Sequence, residues 1–173
     1  LTTRLPGKKG KDPLRVVLDG KLRLPLDAQM LRRQSSAPTW IFCGDNPDAR
    51  KRKSLEKAGA RVIPVGTGEN GSLDLAQVLR ELGKNQITSL LVEGGGRVHG
   101  SFLRAGLVDQ VSIFLAPFFL GADAVPVVDA LSLASVRDGR RFVTSRVKRF
   151  DDDVLVEGIF SSSFVLAHGT GND

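Results

Sequence analysis

The apolar positions of this 173-residue chain fall into two rhythms that alternate along much of its length. RVVLD (15–19) and TWIFCG (39–44) are short runs of β-forming residues, each closed by glycine, and RVIPV (61–65) is a third. Between the second and third, NPDARKRKSLEKAG predicts a short basic helix, with Asn46 as N-cap, Pro47 at the first helical position and Gly59 as the stop. GTGENGS (66–72) reads as a loop. In DLAQVLRELG, Leu75, Val78, Leu79 and Leu82 stand at i, i+3, i+4 and i+7; Asp74 with Gln77 predicts a capping box and Gly83 the stop. ITSLLV (87–92) is apolar without alternation, the pattern of a strand buried on both faces. A helix follows from about Arg97, with Val98, Phe102 and Leu103 on one face and Gly106 as its end. VDQVSIFLAPFFLG (108–121) predicts a long strand interrupted at Pro117, and FVTSRVKRF with VLVEGIF, separated by Asp151–Asp153, an antiparallel hairpin. Strands joined by helices, then a hairpin, make a mixed α/β sheet. SSSFVLAHGTGND (161–173) reads as a loose tail.

Composition narrows the class. Hydrophobic residues at 41% fit one ordinary globular domain, and no apolar stretch approaches the roughly 18 residues of a membrane span. The basic start lacks the apolar segment of a secretory signal. Cys43 is the single cysteine, which excludes an intrachain disulfide and favours a cytoplasmic setting. With 25 Lys/Arg against 19 Asp/Glu the chain carries +6, which favours anionic partners. The clusters at Lys8–Lys11, Arg50–Lys53 and Arg137–Arg149 lack interleaved aromatics, so ordinary solvated surface is the plainer reading and a nucleic-acid module the rival one.

The chemistry concentrates at VEGGGRVHG (92–100). Glycines between a strand and a helix let another group approach the backbone, and the helix start points free N–H groups and positive dipole at it, which suits an anion. A tight corner alone is the other explanation. No Gly-Lys-Ser/Thr follows, against a triphosphate loop. The spacing of Gly94, Gly96 and Gly100 is one residue longer than the dinucleotide fingerprint, and the next strand ends without an acid for a ribose hydroxyl. A 2′-phosphorylated cofactor stays compatible. Glu93, at the end of an apolar run, either accepts bonds from the glycine amides or meets a donor-rich ligand. The only histidines are His99 and His168, and no metal-ligand spacing or CxxC occurs. Such poverty of acids and bases fits hydride transfer, where a cofactor carries the chemistry.

VVLDGKLRLP, ITSLLVEGGGRVHGSFLRAGLVDQVSIFLAPFFLG and FDDDVLVEGIF resemble the reductase domain of the bifunctional riboflavin-biosynthesis deaminase/reductase. The resemblance runs from Leu1 to about Phe160. It implies a dihydrofolate-reductase-like fold, a mostly parallel sheet flanked by helices with a C-terminal hairpin, and NADPH as cofactor. The implied reaction reduces the ribosyl group of 5-amino-6-(5-phosphoribosylamino)uracil to the ribitylamino product; a related reductase of another pyrimidine or pterin-like substrate is the alternative. Carried over by position, Glu93, Leu1 and Arg4 are expected to bind substrate, with Arg4 suited to its phosphate. Gly95, Gly96, Arg97, Val98, His99, Gly100 and Ser101 are expected to hold NADPH, and Gly20 matches a further cofactor contact made through backbone alone. The family also implies a homodimer and an upstream deaminase domain, of which no HxE or PCxxC signature is present here. In relatives a strand with a Ser-x-Asp-Gly-type segment, a helix and a second strand precede the position of Leu1. The domain at 1–160 is therefore expected to be N-terminally incomplete and impaired alone.

Overall fold

A computed structural model describes residues 10–32, 37–68 and 71–160, which fall in two compact units, 1–88 and 89–173. In the first, β1 (Arg15–Leu18), β2 (Thr39–Cys43) and β3 (Ala60–Pro64) form a parallel sheet in that order. Val17 pairs with Ile41, and Ile41 with Val62. All five residues of the central strand are buried, as a strand with neighbours on both sides requires. Leu22, Ile41, Cys43, Leu55, Ala60 and Val62 make the core, with Val17, Leu24 and Leu31 packed against it.

Two helices join these strands and a third follows β3. α1 (Gln29–Arg32) is one turn, carries no buried residue and has no signal in the sequence pattern. α2 (Ala49–Lys57) is anchored by Leu55 alone, and its N-cap is Asp48, not the expected Asn46: the Asp48 carboxylate accepts from the Lys51 amide at 2.6 Å. α3 (Leu75–Lys84) buries Leu75, Val78 and Leu82, as the spacing predicts. Asp74 caps it, accepting from the Gln77 amide at 2.9 Å. The reciprocal half of the capping box is absent, because Gln77 Oε1 instead accepts from Gly66 N at 2.6 Å and ties the loop after β3 to the helix. Gly83 lies inside the helix; the chain leaves it at Asn85, with Gln86 taking the left-handed turn (φ 62°).

The second unit holds α4 (Gly96–Arg104) and an antiparallel sheet ordered β4-β6-β5, with β4 at Gln110–Leu115, β5 at Val143–Phe150 and β6 at Asp153–Ile159. The predicted hairpin is present: Val147 faces Val156, and β6 begins at Asp153, so Asp151 and Asp152 alone make the turn. A bulge interrupts β5 between Thr144 and Arg146. The expected strand over 108–121 is shorter, ending at Leu115; beyond it Phe118, Phe119 and Leu120 are exposed.

One expectation fails outright. Residues 87–92 form no strand, and Leu91 is 80% exposed. A continuous apolar run becomes a buried strand only with ladder partners on both sides, and none pairs with it among the described residues.

Candidate functional site

Residues 93–101 run from this unpaired segment into α4. Gly95 is the N-cap, in extended conformation (φ −84°, ψ 172°), and its carbonyl accepts from Val98 N at 3.0 Å and His99 N at 3.3 Å. No side chain caps the helix, so no side-chain oxygen takes its first amides at the positive end of the dipole. The predicted end holds: Gly106 takes the left-handed conformation (φ 65°) just past the C-cap Ala105.

The glycines divide by what a side chain would meet. At Gly96 a Cβ would come to 2.6 Å from Pro126 O and 2.9 Å from Asp129 N, and at Gly100 to 3.1 Å from Asp129 O. These two are small because a strap, residues 126–130, lies directly on α4. Asp129 N donates to Gly96 O at 3.0 Å, the His99 ring bonds Val127 O at 2.8 Å through Nδ1, which therefore carries the proton, and Arg104 donates to Ala130 O. At Gly94 a Cβ would meet Val98 Cβ at 3.1 Å. At Gly95 it would meet nothing within 4 Å. Gly95 is thus the position where the backbone is open to a ligand, which fits the anionic diphosphate of a dinucleotide.

The remaining expected residues take distinct places. Glu93 is exposed and stands on no strand end, because 87–92 is no strand. Arg97 is exposed on the first turn of α4. Val98 and Ser101 are half-buried; Ser101 Oγ donates to Arg97 O at 2.8 Å and accepts from Arg104 at 3.2 Å, so its hydroxyl is engaged within the helix. Gly20 belongs to the other unit, in the turn after β1, where its carbonyl accepts from Gly44 N at 3.0 Å. Leu1 and Arg4 lie outside the described residues. The strap was missed by sequence reasoning, since 126–130 has no periodicity; the glycines at 96 and 100, one turn apart, were its only trace. Among the described residues no group of three or more His, Cys, Asp or Glu side chains could hold a metal ion, and no helix is long and apolar enough to cross a membrane.

The sequence profile of the RibD C-terminal domain matches residues 1–156. The chain belongs to this family. It is 35% identical over 160 residues to riboflavin biosynthesis protein RibD of Bacillus amyloliquefaciens, covering 92% of this chain and 42% of that protein. It is 32% identical over 155 residues to the 2,5-diamino-6-ribosylamino-4(3H)-pyrimidinone 5′-phosphate reductase of Methanothermobacter thermautotrophicus, covering 89% of this chain and 69% of that one. Among solved structures, RibD of Acinetobacter baumannii superposes with a TM-score of 0.69 at 26% identity, over 86% of this chain and 37% of its own. The riboflavin biosynthesis reductase of Saccharomyces cerevisiae, 18% identical, shares the fold (TM-score 0.63, 87% of this chain and 71% of that one). The chain thus spans about two fifths of the RibD proteins it matches. Its mixed α/β fold is that of RibD reductase-like proteins, with the strands divided between a parallel and an antiparallel sheet.

Proposed function

We propose that this chain is the reductase part of a riboflavin-biosynthesis enzyme, reducing the ribosyl group of 5-amino-6-(5-phosphoribosylamino)uracil to the ribitylamino product with NADPH. The observation that carries this is the open glycine N-cap of α4, with the exposed Arg97 on the same first turn, in a chain matched by the RibD C-terminal domain over 1–156. Bound NADPH would supply hydride chemistry at C1′ of the opened sugar. The chain's own part is to hold the dinucleotide: the amides at the start of α4 take its phosphates, while the strap fixes the helix and the His99 tautomer. Glu93, exposed just before the turn, is assigned to the donor-rich pyrimidine, and Leu1 and Arg4 to the phosphorylated end of the substrate.

A second substrate is favoured by the archaeal relative, whose name carries an amino group where the uracil has its C2 carbonyl. The same hydride step serves both. The unpaired run at 87–92 supports the reading that a further strand completes the substrate side, and that the described residues turn over poorly without it. A homodimer, an upstream deaminase domain and a cytoplasmic setting belong to the same proposal.

Calorimetry with NADPH and NADH tests the cofactor, using Gly95→Val as the blocked variant. Gly95 has extended dihedrals and free space around its Cβ, so valine there folds. NADPH binding lost in the variant supports the assignment; binding unaffected by valine removes the cofactor from α4. Oxidation of NADPH followed with each pyrimidine in turn then decides the substrate.

A further inference from the structure

The +6 charge is unevenly distributed. Residues 1–88 hold 17 Lys/Arg against 9 Asp/Glu, whereas residues 89–173 hold 8 against 10. Within the basic unit the charge concentrates on α2, where Arg50, Lys51, Arg52, Lys53 and Lys57 stand with a single acid, Glu56. That acid is taken by Arg52 at 2.9 Å. Arg50, Lys51, Lys53 and Lys57 have no acidic partner among the described residues. Arg50, Lys53 and Lys57 are exposed and spaced i, i+3 and i+7, which sets them in one stripe about 10 Å long. Like charges at these spacings oppose helix formation, and the helix is held by one buried leucine and one cap. Such a stripe is neutralised by a partner with regularly repeated negative charge.

We propose that the outer face of α2 is a docking surface for the phosphate backbone of nucleic acid, independent of base sequence. Three cations within about 10 Å can each meet a phosphate of one strand. A single dinucleotide phosphate calls for convergent cations, whereas these are spread along a helix. A membrane surface calls for an apolar face to insert, and the one apolar anchor of α2, Leu55, is fully buried. The inference goes beyond the proposed reductase activity and does not depend on it.

The test is fluorescence anisotropy with a labelled single-stranded RNA of about 20 nucleotides, between 50 and 200 mM salt. Three phosphate contacts give a log–log slope of about −2, or roughly a 15-fold loss of affinity across that range. The triple variant Arg50→Gln, Lys53→Gln, Lys57→Gln, which removes repulsion and keeps good helix formers, is expected to flatten the slope by about 2 units with NADPH oxidation unchanged. Arg146→Gln with Lys148→Gln in the other unit leaves RNA binding as it was. Absence of binding at 50 mM salt, or an unchanged slope in the triple variant, overturns the proposal. Displacement of RNA by NADPH assigns the stripe to the cofactor, and equal stripe-dependent binding to phosphatidylserine vesicles makes it a membrane contact; either result also overturns it.

Discussion

Replacing Gly96 with alanine separates a packing glycine from a ligand glycine. In an exposed helix interior the change is favourable by about 1 kcal/mol, because alanine has the higher helix propensity. Gly83 in α3 provides that reference, with no atom within 4 Å of its Cβ. At Gly96 the new Cβ falls 2.6 Å from Pro126 O and 2.9 Å from Asp129 N, both backbone atoms that cannot rotate away. The strap must therefore shift, losing the 3.0 Å bond from Asp129 N to Gly96 O, worth about 1 kcal/mol net, and adding overpacking strain of about 1–3 kcal/mol. Set against the propensity gain, the variant loses about 1–3 kcal/mol. Hydrogen exchange over 96–104 and 126–130 reads this within the affected unit, as protection reduced by about 5- to 150-fold. The Gly83→Ala variant, followed by urea unfolding through the single tryptophan, Trp40, gains stability. Exchange in Gly96→Ala as slow as in the parent chain would refute the close approach of the strap.

Three further outcomes follow from burial in the first unit. Leu55→Ala removes the only buried side chain of α2 and costs about 2–5 kcal/mol, read as a fall in the urea midpoint of Trp40 fluorescence. Arg15 is buried; its Nε donates to Thr39 Oγ1 at 3.0 Å and its Nη2 to Ala37 O, so Arg15→Ala removes both bonds together with the buried packing of the side chain and costs about 2–4 kcal/mol in the same assay. The Cys43 thiol is pushed up by burial, partly offset by the Arg52 cation, with Asp19 and Asp45 adding to the rise. Between the unfolded thiol value, about 8.5, and the higher folded value the native state holds the extra proton. Stability from this group is therefore complete below about pH 8.5 and falls above it, by up to about 1.4 kcal/mol per pH unit within the window. The fall is absent in Cys43→Ala, and iodoacetamide labels the thiol only after unfolding.

Elements whose stabilising contacts lie close in sequence were legible. α3 was read from Leu75, Val78 and Leu82 because one face of one helix contains the whole signal, and the β5–β6 hairpin because a tight turn fixes its register. What needed remote partners was not. The cap of α2 lies at Asp48 and not Asn46, since either residue type can cap and it is the Asp48 carboxylate that takes the Lys51 amide. Gly83 resembled a stop because glycine marks helix ends on average, yet here Gln86 turns left-handed instead. Residues 87–92 have the composition of a central strand, but composition states a requirement for neighbours and cannot supply them.

The glycine cluster shows the same division at the scale of single atoms. In the sequence, Gly94, Gly95, Gly96 and Gly100 form one feature, read first as an anion site with a tight corner as the alternative. In the structure the answers belong to different residues: Gly96 and Gly100 admit the strap, and Gly95 alone faces open space. A ligand held by backbone amides makes position 95 tolerant in folding and intolerant in binding. Contact with the strap makes position 96 intolerant in folding, with binding lost only as far as α4 itself is displaced. Gly95→Val and Gly96→Ala should therefore cross, the first keeping protection of α4 while losing NADPH, the second losing protection first. If both variants lost protection and binding together, the turn would be a single structural corner, and the cofactor would have to be sought elsewhere in the chain.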